Sequence, residues 1–338
     1  MGIKEDRFFM KVLLCIRGDY LKSFAGDSKV VLMTSKYLRK LGVEVDINDG
    51  YITDYSKYDI VHLFNLTRMG ETYKYYKQAH RQKKCIVITP IYWNLNKYYS
   101  YMNNIDNIKL WDKCKPYREE IIKGCNIIYP NSELEKNLLL EDFNISLSCN
   151  IIHHGVEIEH EETPLYNLKD RYNLSNYALC VARITAQKNQ HTLARACSKL
   201  GVNLVLIGNI NDNEYFRECM AYKNVTYLGF MDRYNIYNAY RFSKLHVLPG
   251  FCETPGLSSL EAAASGCNIV STIEGSAKEY FKDMADYINP YDEETILTAL
   301  EKGNNKRKNN ELKNYVLKNY NWNKYAEELY RSYERLLI

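Results

Sequence analysis

The feature that most constrains this chain is a repeated alternation of short apolar runs with segments of helical periodicity. Lys11-Val12-Leu13-Leu14-Cys15-Ile16 opens the series as a strand-like run. Asp27 then introduces Val30, Val31, Met33, Thr34, Tyr37, Leu38 and Leu41 at helical spacing, and Gly42 stops that helix. Val43-Glu44-Val45-Asp46-Ile47 reads as the next strand, followed by Asp59-Ile60-Val61-His62-Leu63-Phe64, Cys85-Ile86-Val87-Ile88-Thr89-Pro90 and Asn126-Ile127-Ile128-Tyr129-Pro130. Residues 71–83 read as a helix, and Asn131-Ser132 caps another from about Glu133. Strands joined through helices pair in parallel, so the expected product is a parallel sheet covered by helices.

The pattern then restarts. Residues 157–164 are acidic and end in proline, which reads as a linker. Beyond them come Tyr177-Ala178-Leu179-Cys180-Val181-Ala182, Asn203-Leu204-Val205-Leu206-Ile207-Gly208, Val225-Thr226-Tyr227-Leu228-Gly229, Leu245-His246-Val247-Leu248-Pro249 and Asn268-Ile269-Val270-Ser271, each separated by helix-length sequence. A length of 338 residues, at roughly 150 per domain, agrees with two doubly wound α/β domains. Ligands of such sheets bind beyond the carboxyl ends of the strands, so two of them imply a cleft.

Composition narrows the function. Charged residues are 25% and hydrophobic ones 46%, ordinary globular usage. The net charge of +4 is too mild for duplex-DNA binding driven by overall charge. Ten cysteines are scattered without a Cys-x-x-Cys, and Lys4, Glu5, Asp6 and Arg7 interrupt any signal peptide, so a reducing cytoplasm is expected. No apolar run approaches the ~18 residues of a membrane span. Residues 68–124 hold 12 Lys/Arg against 5 Asp/Glu, interleaved with Tyr92, Trp93, Tyr98, Tyr99 and Tyr101. That region reads either as a solvated face or as an acceptor- or membrane-facing surface, with peripheral contact to an anionic membrane in the second case. Nucleic acid is not an expected partner. The chain has no Gly-x-Gly-x-x-Gly after a strand, no P-loop, no Gly-x-Ser-x-Gly, no His-Glu-x-x-His and no Asp-x-Asp. Phosphate charge would therefore be met by protein groups rather than by a metal clamp.

Two constellations fit that demand. Phe251-Cys252-Glu253-Thr254-Pro255-Gly256-Leu257-Ser258-Ser259-Leu260-Glu261 follows a strand and opens a small-residue helix ending at Gly266. The amides of Gly256, Leu257 and Ser258 suit a phosphate, and Glu253 and Glu261 could accept from sugar hydroxyls. Ser258-x-x-Glu261 equally fits a capping box. Arg183 follows a strand and Lys188 starts the next helix; two cations on such a loop suggest diphosphate binding, or else a solvated surface. In the first half, Gly26 permits close approach of a ligand, and Asp27 reads as an N-cap or a catalytic base. His153-His154-Gly155 with Glu157, Glu159 and His160 has the residue types of a metal site, but its composition favours an interdomain turn.

Taken together, these residues resemble retaining, nucleotide-sugar-dependent glycosyltransferases of family 4 (glycosyl transferases group 1). Glu253-x7-Glu261 in its Thr-Pro-Gly-Leu-Ser-Ser-Leu-Glu-Ala-Ala-Ala-Ser-Gly block carries the likeness, with Arg183 and Lys188. Ala25-Gly26-Asp27, Pro130-Asn131-Ser132-x-x-Glu135, His154-Gly155-Val156-Glu157 and Asn321-Trp322-x-x-x-Ala326 with Tyr333 extend it over nearly the whole chain. The resemblance implies a GT-B fold, two Rossmann-like domains facing a central cleft. It divides the chain into an acceptor-side domain at 1–156, a donor domain at 157–318 and a C-terminal helix at 319–338 crossing back to the first domain. It implies transfer of a hexose-type sugar from a UDP- or GDP-linked donor to a hydroxyl of a glycan, glycolipid or other acceptor, in surface polysaccharide or glycoconjugate synthesis. Arg183 and Lys188 would bind the diphosphate, Glu261 the ribose, Glu253 the transferred sugar and the backbone near Phe230 and Met231 the base, with Gly26 lining the donor from the first domain. No metal or further cofactor is expected. The family often has a histidine after the Cys85–Thr89 strand; here the segment is Pro90-Ile91-Tyr92-Trp93, and Asp27, Tyr92 and Trp93 are the acceptor-side candidates. A sugar-nucleotide epimerase of related architecture and a non-catalytic nucleotide-sugar-binding subunit are the rival readings.

Overall fold

The computed structural model describes residues 9–144, 148–158 and 163–338, so Glu159 and His160 of the histidine-rich stretch, residues 161 and 162 of the expected linker and the charged start lie outside the described residues. Contacts divide the chain into two compact units, Met1–Gly155 with Trp322–Ile338, and Val156–Asn321. The first boundary falls before Val156 because its N–H donates to Tyr320 O (3.0 Å), tying it to the second unit.

The first unit runs β1 (Lys11–Cys15), α1 (Gly26–Lys40), β2 (Glu44–Asn48), β3 (Ile60–Phe64), α2 (Met69–Arg81), β4 (Cys85–Thr89), α3 (Asn96–Tyr101), α4 (Ile105–Lys113), α5 (Lys115–Gly124), β5 (Ile127–Ile128) and α6 (Glu133–Phe143). The second runs α7 (Leu168–Arg171), β6 (Tyr177–Val181), α8 (Gln190–Lys199), β7 (Asn203–Ile207), α9 (Asn213–Cys219), β8 (Val225–Tyr227), α10 (Arg233–Phe242), β9 (Leu245–Leu248), α11 (Leu257–Ala264), β10 (Asn268–Thr272), α12 (Ala277–Phe281), β11 (Asp286–Ile288), α13 (Glu293–Asn305) and α14 (Glu311–Asn319). The last helix, α15 (Trp322–Leu337), belongs to the first unit. The sheets have orders β2-β1-β3-β4-β5 and β11-β10-β9-β6-β7-β8, and their paired strands are parallel.

The apolar runs are continuous because helices bury both sheet faces. In the second unit Leu179, Val205 and Ile207 pack against Leu260 and Ala263 of α11. The alternate residues Ala178, Cys180, Leu204 and Leu206 face Leu193, Ala196 and Cys197 of α8. In the first unit α15 turns Trp322, Tyr325, Leu329 and Tyr333 inward. Its hydroxyls reach His62 Nδ1 from Tyr333 (2.5 Å) and Thr34 Oγ1 from Tyr325 (3.0 Å). Among the described residues no helix is long and apolar enough to cross a membrane.

Local expectations fail where side chains compete with the backbone. The run at 126–130 makes only a two-residue strand, because Asn126 Oδ1 accepts from the Ile86 N–H (2.8 Å) in place of a backbone carbonyl. The helix expected at 71–83 starts at Met69 and stops at Arg81, before Lys83 enters the left-handed region at φ 50°. Asp27 is not the N-cap of α1. That position is Ala25, and Asp27 lies in the first turn with its carboxylate drawn inward by Arg17.

Candidate active site

In each sheet one pair of neighbouring strands marks the point where strand order reverses, and parallel strands present their carboxyl ends along the same edge. In the second sheet that pair is β6 and β9. The loop leaving β6 carries Arg183 and Lys188, and the loop leaving β9 carries Glu253 and leads into α11. Adjacent strands therefore bring together segments about seventy residues apart in the chain. Phe251 N–H donates to Gln187 O (2.9 Å), Gln187 Nε2 donates to Cys252 Sγ (2.7 Å), and Lys188 Nζ donates to Glu253 Oε1 (2.6 Å).

Glu253 is held on all sides. Its side chain is 5% exposed and that of Lys188 is 18% exposed. The Glu253 N–H donates to Glu274 O (3.0 Å), and its carbonyl accepts from the Ser276 N–H (3.2 Å). Gly250 makes room for the carboxylate. A Cβ at Gly250 would stand 2.4 Å from Glu253 Oε1, inside contact distance. Gly256 has φ +85° and caps α11 without a side-chain bond. Since Gly256 occupies the cap, Ser258 and Glu261 lie inside the helix, and the Ser258-x-x-Glu261 capping box is not the start of this helix. Tyr240 of α10 instead donates its hydroxyl to Glu261 Oε2 (3.1 Å). Glu261, Leu257 and Ser258 are half-buried.

Arg183 is half-buried, and its carbonyl accepts from Gln190 Nε2 (2.8 Å), which closes the β6 loop onto α8. Burial pushes the Cys252 thiol up to about 12 against the opposing pull of Lys188 and Arg183, so this cysteine is a protonated neighbour rather than a nucleophile. Gly229, at φ 78°, leads from β8 to Phe230, which is exposed, and Met231, whose side chain is buried in the core.

The first sheet reverses between β1 and β3, and a polar cluster sits there as well. Arg17, two residues beyond β1, donates from Nε to Asp27 Oδ2 (2.9 Å) and from Nη2 to Asp27 Oδ1 (3.0 Å). Asn65, just beyond β3, donates to Asp27 Oδ2 (3.0 Å). Burial alone would raise the Asp27 carboxyl; the Arg17 hydrogen bonds and charge, with Asn65 and the Ser28 N–H, overcome it and hold the group below the usual carboxylate range. Arg17 and Asn65 were not singled out from the sequence. A signal existed, since Arg17 stands two residues after its strand just as Arg183 does.

Gly26, the donor-side candidate of the first domain, is exposed at the first position of α1, and of the remaining acceptor-side candidates Trp93 is half-buried. Tyr92 needs correction: its ring is in the core, stacked near Trp111, and its hydroxyl donates to Asp142 Oδ2 (2.7 Å) while its N–H donates to Glu135 Oε1 (2.6 Å). That side chain is buried and fastens α6. His154 is likewise buried, against Trp322 and Tyr325, with burial lowering its pKa to about 3. Among the described residues no three His, Cys, Asp or Glu side chains group as metal ligands would.

Residues 169–322 match the family model described as Glycosyl transferases group 1. A probable sucrose-phosphate synthase 2 from Craterostigma plantagineum is 30% identical over a match covering 37% of this chain and 14% of that protein. The sucrose-phosphate synthase of Spinacia oleracea is also 30% identical with the same coverage, so the match spans about a seventh of these relatives. In structure, a sucrose-phosphate synthase from Thermosynechococcus elongatus has a TM-score of 0.79 at 15% identity, covering 97% of this chain and 99% of that one. Anabaena HepE, solved with UDP and glucose, has a TM-score of 0.72 at 12% identity, with 96% and 99% coverage. The chain thus has the GT-B fold, and within it residues 169–322 are similar to the glycosyl transferases group 1.

Proposed function

We propose that the protein is a retaining, metal-independent glycosyltransferase that moves a sugar from a nucleoside diphosphate to an acceptor hydroxyl. The observation that carries this reading is the meeting of Lys188, Glu253 and the amino end of α11 at the reversal point of the second sheet. A diphosphate placed there meets Arg183, Lys188 and the amides of Gly256, Leu257 and Ser258. Glu261, oriented by Tyr240, faces the ribose hydroxyls, Glu253 the transferred sugar, and the backbone at Phe230 and Met231 the base. UDP is the favoured nucleotide on the analogy of HepE, solved with UDP, and of the Escherichia coli trehalose-6-phosphate protein bound with UDP-2-fluoro glucose.

In the transfer, the bond from the anomeric carbon to the diphosphate oxygen breaks as the acceptor oxygen bonds to the same face of the sugar. The acceptor proton passes to the departing diphosphate oxygen. Arg183, Lys188 and the helix amides stabilise the charge that gathers on the diphosphate, an electrostatic contribution that needs no metal. The acceptor is a hydroxyl of a glycan or lipid-linked glycan, as in surface polysaccharide synthesis.

The test is titration of UDP and GDP into the protein by calorimetry in excess EDTA, followed by NMR of the product formed from the sugar nucleotide that binds. Metal-free binding with retained anomeric configuration is expected. Arg183→Ala should lower turnover by roughly 10²-fold or more. Inversion, an absolute need for a divalent cation, or epimerised donor released without an acceptor would each overturn the reading.

A further inference from the structure

We propose that the turn between α3 and α4, with the outer face of α4, is a docking surface that seats Met102, Ile105 and Leu110 in an anionic lipid bilayer. Exposed apolar side chains scattered singly over a surface are ordinary. Here Tyr101 is 53% exposed, Met102 44%, Ile105 62% and Leu110 57%, all within ten residues. At 100° per residue, Ile105, Lys109, Leu110 and Lys113 fall within about 140° of one another on α4, while Trp111 points the opposite way. Trp111 is 7% exposed and is held from beneath by Arg118, whose guanidinium lies 3.6 Å from the ring centroid and donates to Trp111 O (2.9 Å). The apolar residues on the outer face therefore stand on a fixed platform.

Charge identifies the occupant. Lys109, Lys113 and Lys115 are exposed on or next to this face, together with Asp106 and Asp112, and Asp112 Oδ1 is engaged by Asn96 Nδ2 (3.1 Å). The surrounding residues 68–124 carry 12 Lys/Arg against 5 Asp/Glu. Lysines flanking a narrow apolar strip suit a phosphate-rich interface, where the stems lie along the apolar layer and the ammonium groups reach the headgroups. Four partly exposed apolar side chains make a strip smaller than the ~800 Å² that each partner buries in a standard protein interface. A strip of that size suits a bilayer better than a second folded chain. The proposal is independent of the donor chemistry, so its failure leaves the transferase reading intact.

The experiment uses the full chain with sucrose-loaded vesicles, either pure phosphatidylcholine or phosphatidylcholine with a third phosphatidylglycerol. Sedimentation with the anionic vesicles is expected, weakened at least about tenfold by salt near 0.5 M, where screening shortens to a few ångströms. Ile105→Asp with Leu110→Asp should lower partitioning at least about tenfold by removing the apolar anchors, and Lys109→Glu with Lys113→Glu should do so by removing the attraction. All four side chains are exposed, and far-ultraviolet circular dichroism with urea unfolding checks that the variants remain folded. The proposal is overturned by no sedimentation with anionic vesicles, by equal binding to neutral ones, or by variants that bind as the parent does. A dimer that dissociates in the Asp variants while lipid binding persists would also overturn it and assign the face to a second copy of this chain.

Discussion

Removing Lys188 should destabilise the second domain as well as impair transfer. The Lys188–Glu253 contact is 2.6 Å, with side chains 18% and 5% exposed. At an effective dielectric constant of about 20, the gross attraction is about 6 kcal/mol. Desolvation of the two ends offsets most of that in the intact pair, so the pair contributes little net stability. Truncation differs, because it leaves a carboxylate in a site built around a cation. For a fully buried pair the loss is about 3–5 kcal/mol; water reaching the Lys188 side should reduce it to about 2–3 kcal/mol. Lys188→Ala is therefore expected to lower the urea-unfolding stability of the second domain by that amount. Glu253→Gln in the same chain should restore at least half of the loss, because the amide needs no counter-ion. The assay is a double-mutant cycle by urea denaturation, using a far-ultraviolet signal and a probe in the second domain. A loss below about 0.5 kcal/mol for Lys188→Ala, or strict additivity in the double variant, would refute the assignment of a stranded charge. Turnover of Lys188→Ala must accordingly be read well below its unfolding temperature.

Acid should unfold the protein through its buried histidines. Burial lowers the pKa of His62, His154 and His246 to about 3 each, so between about pH 3 and 6.5 the unfolded state binds the extra protons and stability falls as pH falls. Each contributes about 1.4 kcal/mol per pH unit inside that window, two of them in the first unit; urea midpoints at pH 7 and pH 5 measure the slope, and a pH-independent midpoint would contradict it. Arg17→Met should cost about 3 kcal/mol by stranding the buried Asp27 carboxylate, and Arg17→Lys should recover little, because one ammonium cannot replace the Arg17 bonds to Asp19, Ser23 O, Asp27 and Ser28; chemical denaturation of the first unit distinguishes the two. Gly250→Ala should displace the Glu253 carboxylate from the position it shares with the new Cβ, lowering sugar transfer by roughly 10-fold or more while leaving affinity for the bare nucleoside diphosphate near that of the parent; equal loss in both would place Glu253 at the diphosphate instead.

The alternation of apolar runs and helical segments determined the layers of both sheets, since a strand followed by a helix has few ways to bury its two faces other than a parallel crossover. It also placed Arg183 and Glu253 just beyond strands and α11 after a turn; Lys188, expected to start the next helix, instead ends a 3₁₀ turn two residues before α8. Among the shorter elements β11, with three residues, carries too little periodicity to stand out, whereas β5 was legible in the run at 126–130 although only two residues of that run pair as a strand. Local pattern misread Asp27 as an N-cap and left the Ser258-x-x-Glu261 capping box open, and the resemblance set Tyr92 on the acceptor side; in each case a side chain on another element decides the outcome. Asp27 answers to Arg17, Tyr92 to Asp142, and Glu261 to Tyr240. Strand order settles the largest difference. Lys188 and Glu253 stand 65 positions apart, and nothing in either segment names the other. They meet because β9 pairs with β6 while β7 and β8 extend the sheet on its other side. That order depends on how every helix packs across the sheet at once, a condition of the whole fold that no single window of sequence contains.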